Sequence, residues 1–421
     1  MQQEVMEIAI SARAASRELG RASTANKNMA LLTMAQLLDR NRDEIEARNL
    51  QDLENARVSG IEKRLVDRLV FGKKKIDSRI MALEAIAELE DPVGDIGEMI
   101  RMPNGISVGR MRVPIGVIAM VYESRPHVTV NAGALCLKSG NAVVLRGGSE
   151  VINTNRYLGD LWTMALEEAG LPAESIQVIQ TTDRAAVRAL LEMERYIDLV
   201  IPRGGEGLIR TVLEISKIPV IKHFYGICHV FVDGTADLEM ALNICVDSKA
   251  YAPEVCNAAE TFLVAESVAN EFLPRLLKAM GRHGVEVRGC ERSMRLNTGI
   301  KEAVDADWSA EYLDLVVSVK VVKDVHDAVN HINRYGSGHT ESIVSNSFDS
   351  IGAFLQGVDS GVLVVNASTM FCDGSELGMG AEIGISTDKI HARGPMGIED
   401  LTTYKNLVIG SGNVMGDLRW E

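Results

Sequence analysis

Basic residues are the minority charge in this chain of 421 residues: 44 Lys and Arg stand against 58 Asp and Glu, a formal net charge of −14. Nucleic acids and anionic membrane surfaces attract a basic face, so the balance argues against both as partners. Paired cysteines are missing too. The six cysteines, at positions 136, 228, 245, 256, 290 and 372, make no C-x-x-C or His–Cys pairing. That argues against a structural zinc site or a disulfide framework and fits a reducing cytoplasm. No apolar run reaches the ~18 residues of a membrane span, and no signal-peptide-like stretch opens the chain. Internal repeats and low-complexity segments are also lacking. Apolar residues, by contrast, make up 46% of the chain. That supply suits two or three domains of roughly 100–200 residues each. A soluble cytoplasmic protein is expected.

The apolar pattern changes character along the chain. Roughly the first 90 residues read as helices, as in Ala30-Leu-Leu-Thr-Met-Ala-Gln-Leu-Leu38. Residues 99–113 alternate around a Pro-Asn-Gly turn and predict a β-hairpin. Either an oligomerisation arm or an ordinary surface hairpin fits. From Pro114 onward short apolar runs alternate with helical segments: Val117–Val121, Asn141–Leu145, Ile176–Ile179, Asp198–Ile201 and Val220-Ile221. A second series follows Cys228–Asp233, with runs at Thr261–Val264, Val285–Arg288, Val316–Val322, Ser342–Ser345 and Gly361–Val365. Short apolar runs separated by helices predict parallel strands with βαβ crossovers. Two parallel-sheet α/β domains joined near residue 233 are therefore expected.

One segment stands out for chemistry. In Tyr251-Ala-Pro-Glu-Val-Cys256-Asn257-Ala-Ala-Glu260-Thr a proline-bounded loop runs into a β-rich stretch, so the Cys256 thiol sits on a bend at a strand edge. A scaffold presents a nucleophile from such a place; a small buried hydrophobe is the bland alternative. Two glycine runs, Gly378-Met-Gly380-Ala-Glu-Ile-Gly384 and Gly410-Ser-Gly412-Asn-Val-Met-Gly416, carry one residue too many for a dinucleotide fingerprint and open no βαβ unit. Better phosphate or ribose candidates follow two strands. Arg146, Gly147 and Ser149 leave the run 141–145, and Gly204 and Gly205 precede a helix predicted over 208–215. A surface ion pair for Arg146 and a plain tight turn at the glycines remain alternatives.

Longer motifs carry a specific resemblance. Pro114-Ile-Gly116-Val117, Lys138-Ser-Gly-Asn-Ala-Val-Val-Leu and the Cys256 loop resemble the aldehyde dehydrogenase superfamily. Within it, Val121-Tyr-Glu-Ser-Arg125-Pro, Ile201-Pro-Arg-Gly-Gly205, Val255-Cys-Asn-Ala, Glu311-Tyr-Leu-Asp, Asn366-Ala-Ser-Thr369, Gly380-Ala-Glu382-Ile-Gly-Ile-Ser-Thr and His391-Ala-Arg393-Gly-Pro-Met-Gly-Ile-Glu-Asp-Leu-Thr-Thr-Tyr404-Lys are similar to the γ-glutamyl phosphate reductases. The resemblance implies NADPH-dependent reduction of L-glutamate 5-phosphate to the semialdehyde, with release of phosphate, in proline biosynthesis. It implies a cofactor domain (1–98, 114–233 and part of 373–395), a catalytic domain (234–372) and an oligomerisation arm (99–113 and 396–421). A dimer or tetramer is expected, with the acyl phosphate supplied by a separate glutamate 5-kinase. Glu311 would hold the nicotinamide ribose.

In that reading the Cys256 thiolate attacks the acyl-phosphate carbon. Backbone N–H groups hold the oxyanion, with Asn257 and Asn131 as the side chains to test. Arg125, Arg393 and His391 are candidates for the substrate's anionic groups and Glu382 for its α-amino group; each also suits a surface or ion-pair role. No metal is called for. The stretch Ile221-Lys-His-Phe-Tyr-Gly-Ile-Cys-His229 lacks the carboxylate that activates water in oxidising aldehyde dehydrogenases, which favours acyl reduction. Ala252 and Met370 depart from the family pattern, which has arginines there. That leaves room for another acyl phosphate or a coenzyme A substrate, while a non-catalytic scaffold is a rival of another class.

Overall fold

The computed structural model describes residues 2–61, 63–222, 224–296 and 299–415. The chain divides into two compact units. The first comprises residues 1–221, 379–383 and 396–421, and the second 222–378 and 384–395.

The first unit begins with helices α1 (Gln2–Leu19), α2 (Thr24–Arg40), α3 (Arg42–Val58), α4 (Lys63–Leu69) and α5 (Lys73–Glu88). Ser23 caps α2 by accepting the Asn26 N–H at 3.1 Å, a short polar side chain taking one of the orphan donors. Strands β1 (Ile100–Arg101) and β2 (Ser107–Pro114) form the expected hairpin. Then come β3 (Val117–Tyr122), α6 (His127–Lys138), β4 (Ala142–Arg146), α7 (Ile152–Glu168), β5 (Ile176–Val178), α8 (Ala185–Leu191), β6 (Leu199–Arg203) and α9 (Glu206–Ile215). The sheet order is β5-β4-β3-β6, all parallel. Every residue of β3 and β4 is buried, which is why these strands read as unbroken apolar runs rather than alternating ones. Val5, Ala9 and Ala12 form the inner stripe of α1 and pack on Val117, Ala119, Val144 and Val200.

The second unit holds β7 (Cys228–Val232), α10 (Leu238–Ala250), β8 (Ala259–Ala265), α11 (Glu266–Arg282), β9 (Glu286–Gly289), α12 (Glu291–Leu296), β10 (Lys301–Glu302), β11 (Val316–Val322), α13 (Val325–Tyr335), β12 (Thr340–Val344), α14 (Phe348–Gly357) and β13 (Val362–Val365). The sheet is parallel, in the order β10-β9-β11-β8-β7-β12-β13. Short strands β14 (Ile385–Ser386) and β15 (Gly394–Pro395) pair in the same unit. Strand β16 (Thr402–Ile409) returns to the first unit and pairs with β2 from Thr402↔Pro114 to Ile409↔Ser107. The 99–113 hairpin and the C-terminal segment thus share one three-stranded antiparallel sheet; residues 416–421 lie outside the described part.

Two expectations shift. The junction lies at 221/222, not near 233, because β7 pairs with β8 and β12 and so belongs to the second sheet. Val220-Ile221 adds no strand: Val220 makes only an isolated bridge to Val200.

Candidate active site

Cys256 stands in the turn between α10 and β8. The ends of that turn are clamped from behind. Lys249, near the end of α10, donates to Glu260, near the start of β8, at 2.6 Å, and both side chains are buried. The other Glu260 oxygen accepts the Leu313 N–H at 3.1 Å, which ties in the segment carrying Glu311. Burial raises the Glu260 carboxyl and lowers the Lys249 ammonium, while their mutual attraction opposes both shifts. Within the turn, the Val255 and Ala258 amides bond the carbonyls of Ala252 and Val255. The Cys256 and Asn257 amides make no hydrogen bond among the described residues. They are therefore open to an oxyanion. The Cys256 side chain is partly exposed, whereas Cys136, Cys228, Cys245 and Cys372 are buried.

Gly226 supports the turn from below. A Cβ on it would stand 1.9 Å from the Cys256 carbonyl oxygen, so only glycine allows the approach. Its N–H donates to Glu311 Oε1 at 2.7 Å. The Cys228 thiol, whose pKa is pushed up by burial and by Glu341, reaches the Cys256 carbonyl at 3.3 Å. Asn257 is only 7% exposed. Its Nδ2 donates to the carbonyls of Met370 (3.2 Å) and Cys372 (3.1 Å). That corrects the expectation of a side-chain oxyanion donor: the amide hydrogens brace the neighbouring loop. The two departures, Ala252 and Met370, both enter this frame through main-chain carbonyls, so their side chains are free to vary without loosening it.

In the first unit, Arg146 ends β4 and is 8% exposed. It donates to the carbonyls of Gly147 (2.9 Å) and Thr182 (3.1 Å), while its buried Nε has no partner. A surface ion pair is thereby excluded. A Cβ on Gly147 would lie 2.1 Å from Asn155 Nδ2, and Ser149 opens the short helical turn before α7. The Gly204-Gly205 loop meets a carboxylate of the same unit. The Gly205 N–H, at the start of α9, donates to Glu123 Oε2 at 2.9 Å, and Gly204 leaves room for that carboxylate. The Glu123 carboxylate thus lies at this helix end, where the dipole favours an anion. Asn131, on α6, accepts from Arg79 Nη1 at 2.8 Å. Arg125 precedes α6, its carbonyl accepting the Val128 N–H.

Elsewhere, Glu382 is half-buried in the segment 379–383 of the first unit. His391 is exposed in the second unit. Arg393 makes an ion pair with Asp359 Oδ1 at 2.8 Å and also donates to the Asp359 carbonyl. The ion-pair alternative named for Arg393 is thus formed here with a half-exposed partner. Among the described residues, four non-glycine positions hold left-handed backbone: Ser124 (φ 45°), Leu313 (φ 50°), Asn366 (φ 55°) and His391 (φ 77°). Each lies in a motif named above. Such strain, about 1–3 kcal/mol per residue, persists where surrounding structure enforces it, and it clusters at functional sites.

Residues 1–294 match the sequence model of the aldehyde dehydrogenase family. A γ-glutamyl phosphate reductase from Desulfatibacillum aliphaticivorans is 50% identical over 410 residues, 97% of this chain and 98% of that protein. The chain belongs to the aldehyde dehydrogenase family. The crystal structure of γ-glutamyl phosphate reductase from Thermotoga maritima, 44% identical, superimposes with a TM-score of 0.95 over 98% of this chain and 100% of that one. An acetylating aldehyde dehydrogenase from Geobacillus thermoglucosidasius, 18% identical, shares the fold with a TM-score of 0.70, over 99% and 98% of the two chains. This aldehyde dehydrogenase thus sits with the γ-glutamyl phosphate reductases.

Aldehyde dehydrogenases use nicotinamide cofactors. The unsatisfied Nε of buried Arg146, beside a glycine that a side chain would block, fits the ribose or phosphate of such a cofactor. Three features of this site escape a reading of the sequence: Gly226 under the nucleophile, Glu123 on the α9 end, and the Lys249–Glu260 clamp. Gly226, Glu123 and Glu260 fall inside quoted segments, but nothing in those segments signals the partner each one meets.

Proposed function

We propose that this chain reduces L-glutamate 5-phosphate to L-glutamate 5-semialdehyde with release of phosphate, for proline biosynthesis, using Cys256 as nucleophile. The carrying observation is the Cys256 turn: an accessible thiol beside two unengaged amides, in a chain half-identical over nearly its full length to a γ-glutamyl phosphate reductase.

The Cys256 thiolate attacks the acyl carbon, and the amides of Cys256 and Asn257 stabilise the oxygen that becomes negative. The carbon–oxygen bond to phosphate breaks, and phosphate departs with that electron pair. A thioester on Cys256 results. The nicotinamide cofactor, when bound, supplies the hydride that reduces this thioester carbon. Collapse of the thiohemiacetal breaks the carbon–sulfur bond and returns the thiol and the aldehyde. Water must stay out of the middle step. Among the described residues, three carboxylates reach residues 221–229 and all are engaged: Asp388 by the Lys222 N–H (3.1 Å) and ammonium (2.7 Å), Glu311 by the Gly226 N–H, and Glu341 by His229, which contacts it at 2.8 Å through both its backbone N–H and its ring Nδ1. None of the three is poised as a base for hydrolysis.

NADPH is the cofactor we assign. Glu150, the acid nearest the end of β4, is held by the Ser124 N–H and Oγ, each at 2.8 Å. Arg146 is the cation at this strand end, and the charges of Glu150, Arg184 and Asp183 act on it. Two guanidinium groups suit a 2′-phosphate, where an acid would suit a 2′-hydroxyl. A separate kinase supplies the acyl phosphate, the β1-β2-β16 sheet joins subunits, and the enzyme works in the cytoplasm. The test runs the reaction backwards: freshly prepared glutamate semialdehyde, phosphate and NADP+ are mixed and reduced cofactor is followed by absorbance. Phosphate-dependent reduction is expected, and none with coenzyme A in its place. Cys256→Ser should keep the fold and NADPH binding and lose turnover; substantial residual turnover removes the covalent mechanism.

A further inference from the structure

The grip on the Cys256 carbonyl bears on the chemistry at its thiol. A peptide unit is planar and trans, so the Cys256 carbonyl and the Asn257 N–H share one plane and point in opposite directions. Whatever holds the carbonyl therefore aims the amide. Among the described residues the carbonyl accepts from one donor, the Cys228 thiol at 3.3 Å. Gly226 closes in on the same oxygen, with no room for a Cβ between them. The Asn257 N–H, at the opposite edge of the plane, is unengaged.

Strand β7 is irregular where it carries Cys228. It pairs with β8 in parallel through Cys228↔Ala259 and then His229↔Thr261, so Glu260 is an extra residue and the register slips by one. A bulge of this kind re-aims side chains and recurs beside active sites. The sulfur is also held from the start of β12: the Thr340 backbone N–H bonds to it, and His339 Nδ1 stands 3.6 Å away. Burial first, then Glu341 and the Cys256 and Cys372 thiols, push the Cys228 pKa well above its ordinary value. The proton therefore stays on the sulfur. With Thr340 donating to that sulfur, the S–H is left to the Cys256 oxygen. Alanine or valine would fill the same space, but neither carries a proton for this carbonyl.

We propose that Cys228 is a positioning residue for acyl transfer at Cys256: its thiol, by donating to the Cys256 carbonyl, aims the Asn257 N–H at the oxyanion. The inference rests on Cys256 being the nucleophile, as proposed above. Cys228 itself touches no substrate in this role. Removing an oxyanion donor outright costs about 100- to 1,000-fold in rate, so a donor left in place but misaimed should lose a fraction of that, on the order of 10-fold.

Two reagents separate this role from plain support of the turn. With p-nitrophenyl acetate the Cys256 sulfur bonds to the acetyl carbon through a tetrahedral oxyanion, and p-nitrophenolate leaves with the electron pair of the broken ester bond. Iodoacetamide instead alkylates the same thiolate by displacing iodide at a saturated carbon, with no oxyanion. Both rates are measured on the full chain, less the background of Cys256→Ser. Cys228→Ala should slow acylation on the order of 10-fold and leave alkylation within about twofold. Cys228→Val, which fills the space without a donor, should do the same, and it carries the test if the alanine variant does not show a cooperative thermal unfolding transition. Cys228→Ser, whose hydroxyl can donate, should recover most of the rate. Equal losses in both reactions would mean a displaced or less ionised Cys256 and would overturn the proposal. Undiminished acylation in the alanine or valine variant, or a serine variant no faster than they are, would overturn it equally. Acylation undiminished in Cys256→Ser would remove the nucleophile, and this role with it. The ester carries neither a glutamyl nor a phosphoryl group. A wild type acylated at Cys256 that turns over no glutamate semialdehyde with phosphate and NADP+ would therefore refute the acyl-phosphate reading and leave the role of Cys228 standing.

Discussion

Gly226→Ala isolates the packing beneath the nucleophile. The added Cβ would lie 1.9 Å from the Cys256 carbonyl oxygen, 2.6 Å from its carbonyl carbon and 2.8 Å from its Cα. All three are backbone atoms, so no side chain can swing aside. Reaching even the 3.0 Å floor of real Cβ contacts requires a movement of about 1.1 Å. Gly226 is also pinned through its N–H to Glu311, so the Cys256 turn gives way at least as readily as the glycine. Overpacking of this kind costs about 1–3 kcal/mol of stability, which leaves a chain of this size folded. A displacement of about 1 Å at a reacting atom costs about 100-fold in rate. Turnover of glutamate semialdehyde, phosphate and NADP+ should therefore fall by about two orders of magnitude, with the unfolding transition still cooperative. Gly352→Ala, on α14, is the control: a Cβ there meets nothing within 4 Å, and alanine in a helix adds about 0.5–1 kcal/mol. Gly226→Ala enzyme with wild-type turnover would show that the Cys256 turn need not sit where Gly226 holds it.

The Lys249–Glu260 clamp should be costly to break from one side. Glu260→Ala strands a buried ammonium and should lower the denaturant-derived stability by about 3–5 kcal/mol. Glu260→Leu combined with Lys249→Met should recover most of that, and a Glu260→Ala change below about 0.5 kcal/mol would refute the clamp. Acid should find a second weak point at His331, buried beside Lys320, whose Nζ approaches Nδ1 at 3.0 Å. Burial first, then the charges of His229, Lys320 and Arg334, hold it far below its ordinary 6.5. A depressed folded value means the contribution is whole above pH 6.5 and is lost as pH falls below it, at about 1.4 kcal/mol per pH unit for one proton. His331→Phe should flatten the stability profile between pH 6.5 and 5 by one proton, as read by urea titrations at each pH; an unchanged slope would place the acid sensitivity elsewhere.

What could be read in advance follows from the range over which each signal acts. Strands β3 and β4 are legible because burial on both faces writes itself into consecutive residues, and α1 because one buried stripe recurs with the helical period. The Cys256 turn is legible for the same local reason, a proline-bounded loop feeding a β-rich run. The unit boundary was not, since the short apolar runs at 220–221 and 228–232 look alike and only strand pairing assigns the second to the far sheet. Asn257 and Gly205 mark the same limit at the level of single groups. Their residue types announce a donor and an anion cradle, but the partners that use them, the Met370 and Cys372 carbonyls and the Glu123 carboxylate, arrive from other parts of the chain. Gly226 is the sharpest case. Its sequence neighbours give no sign that a backbone from thirty residues later lies against its Cα, because β7 and β8 become neighbours only when the sheet forms. Residue type thus reports what a group can donate or accept, whereas function depends on what has already claimed it. The four left-handed residues connect the two levels: Ser124, Leu313, Asn366 and His391 all lie in the motifs that resemblance singled out. Side chains alone do not explain why those motifs are distinctive, since what they share is a backbone bend that tertiary contacts must enforce.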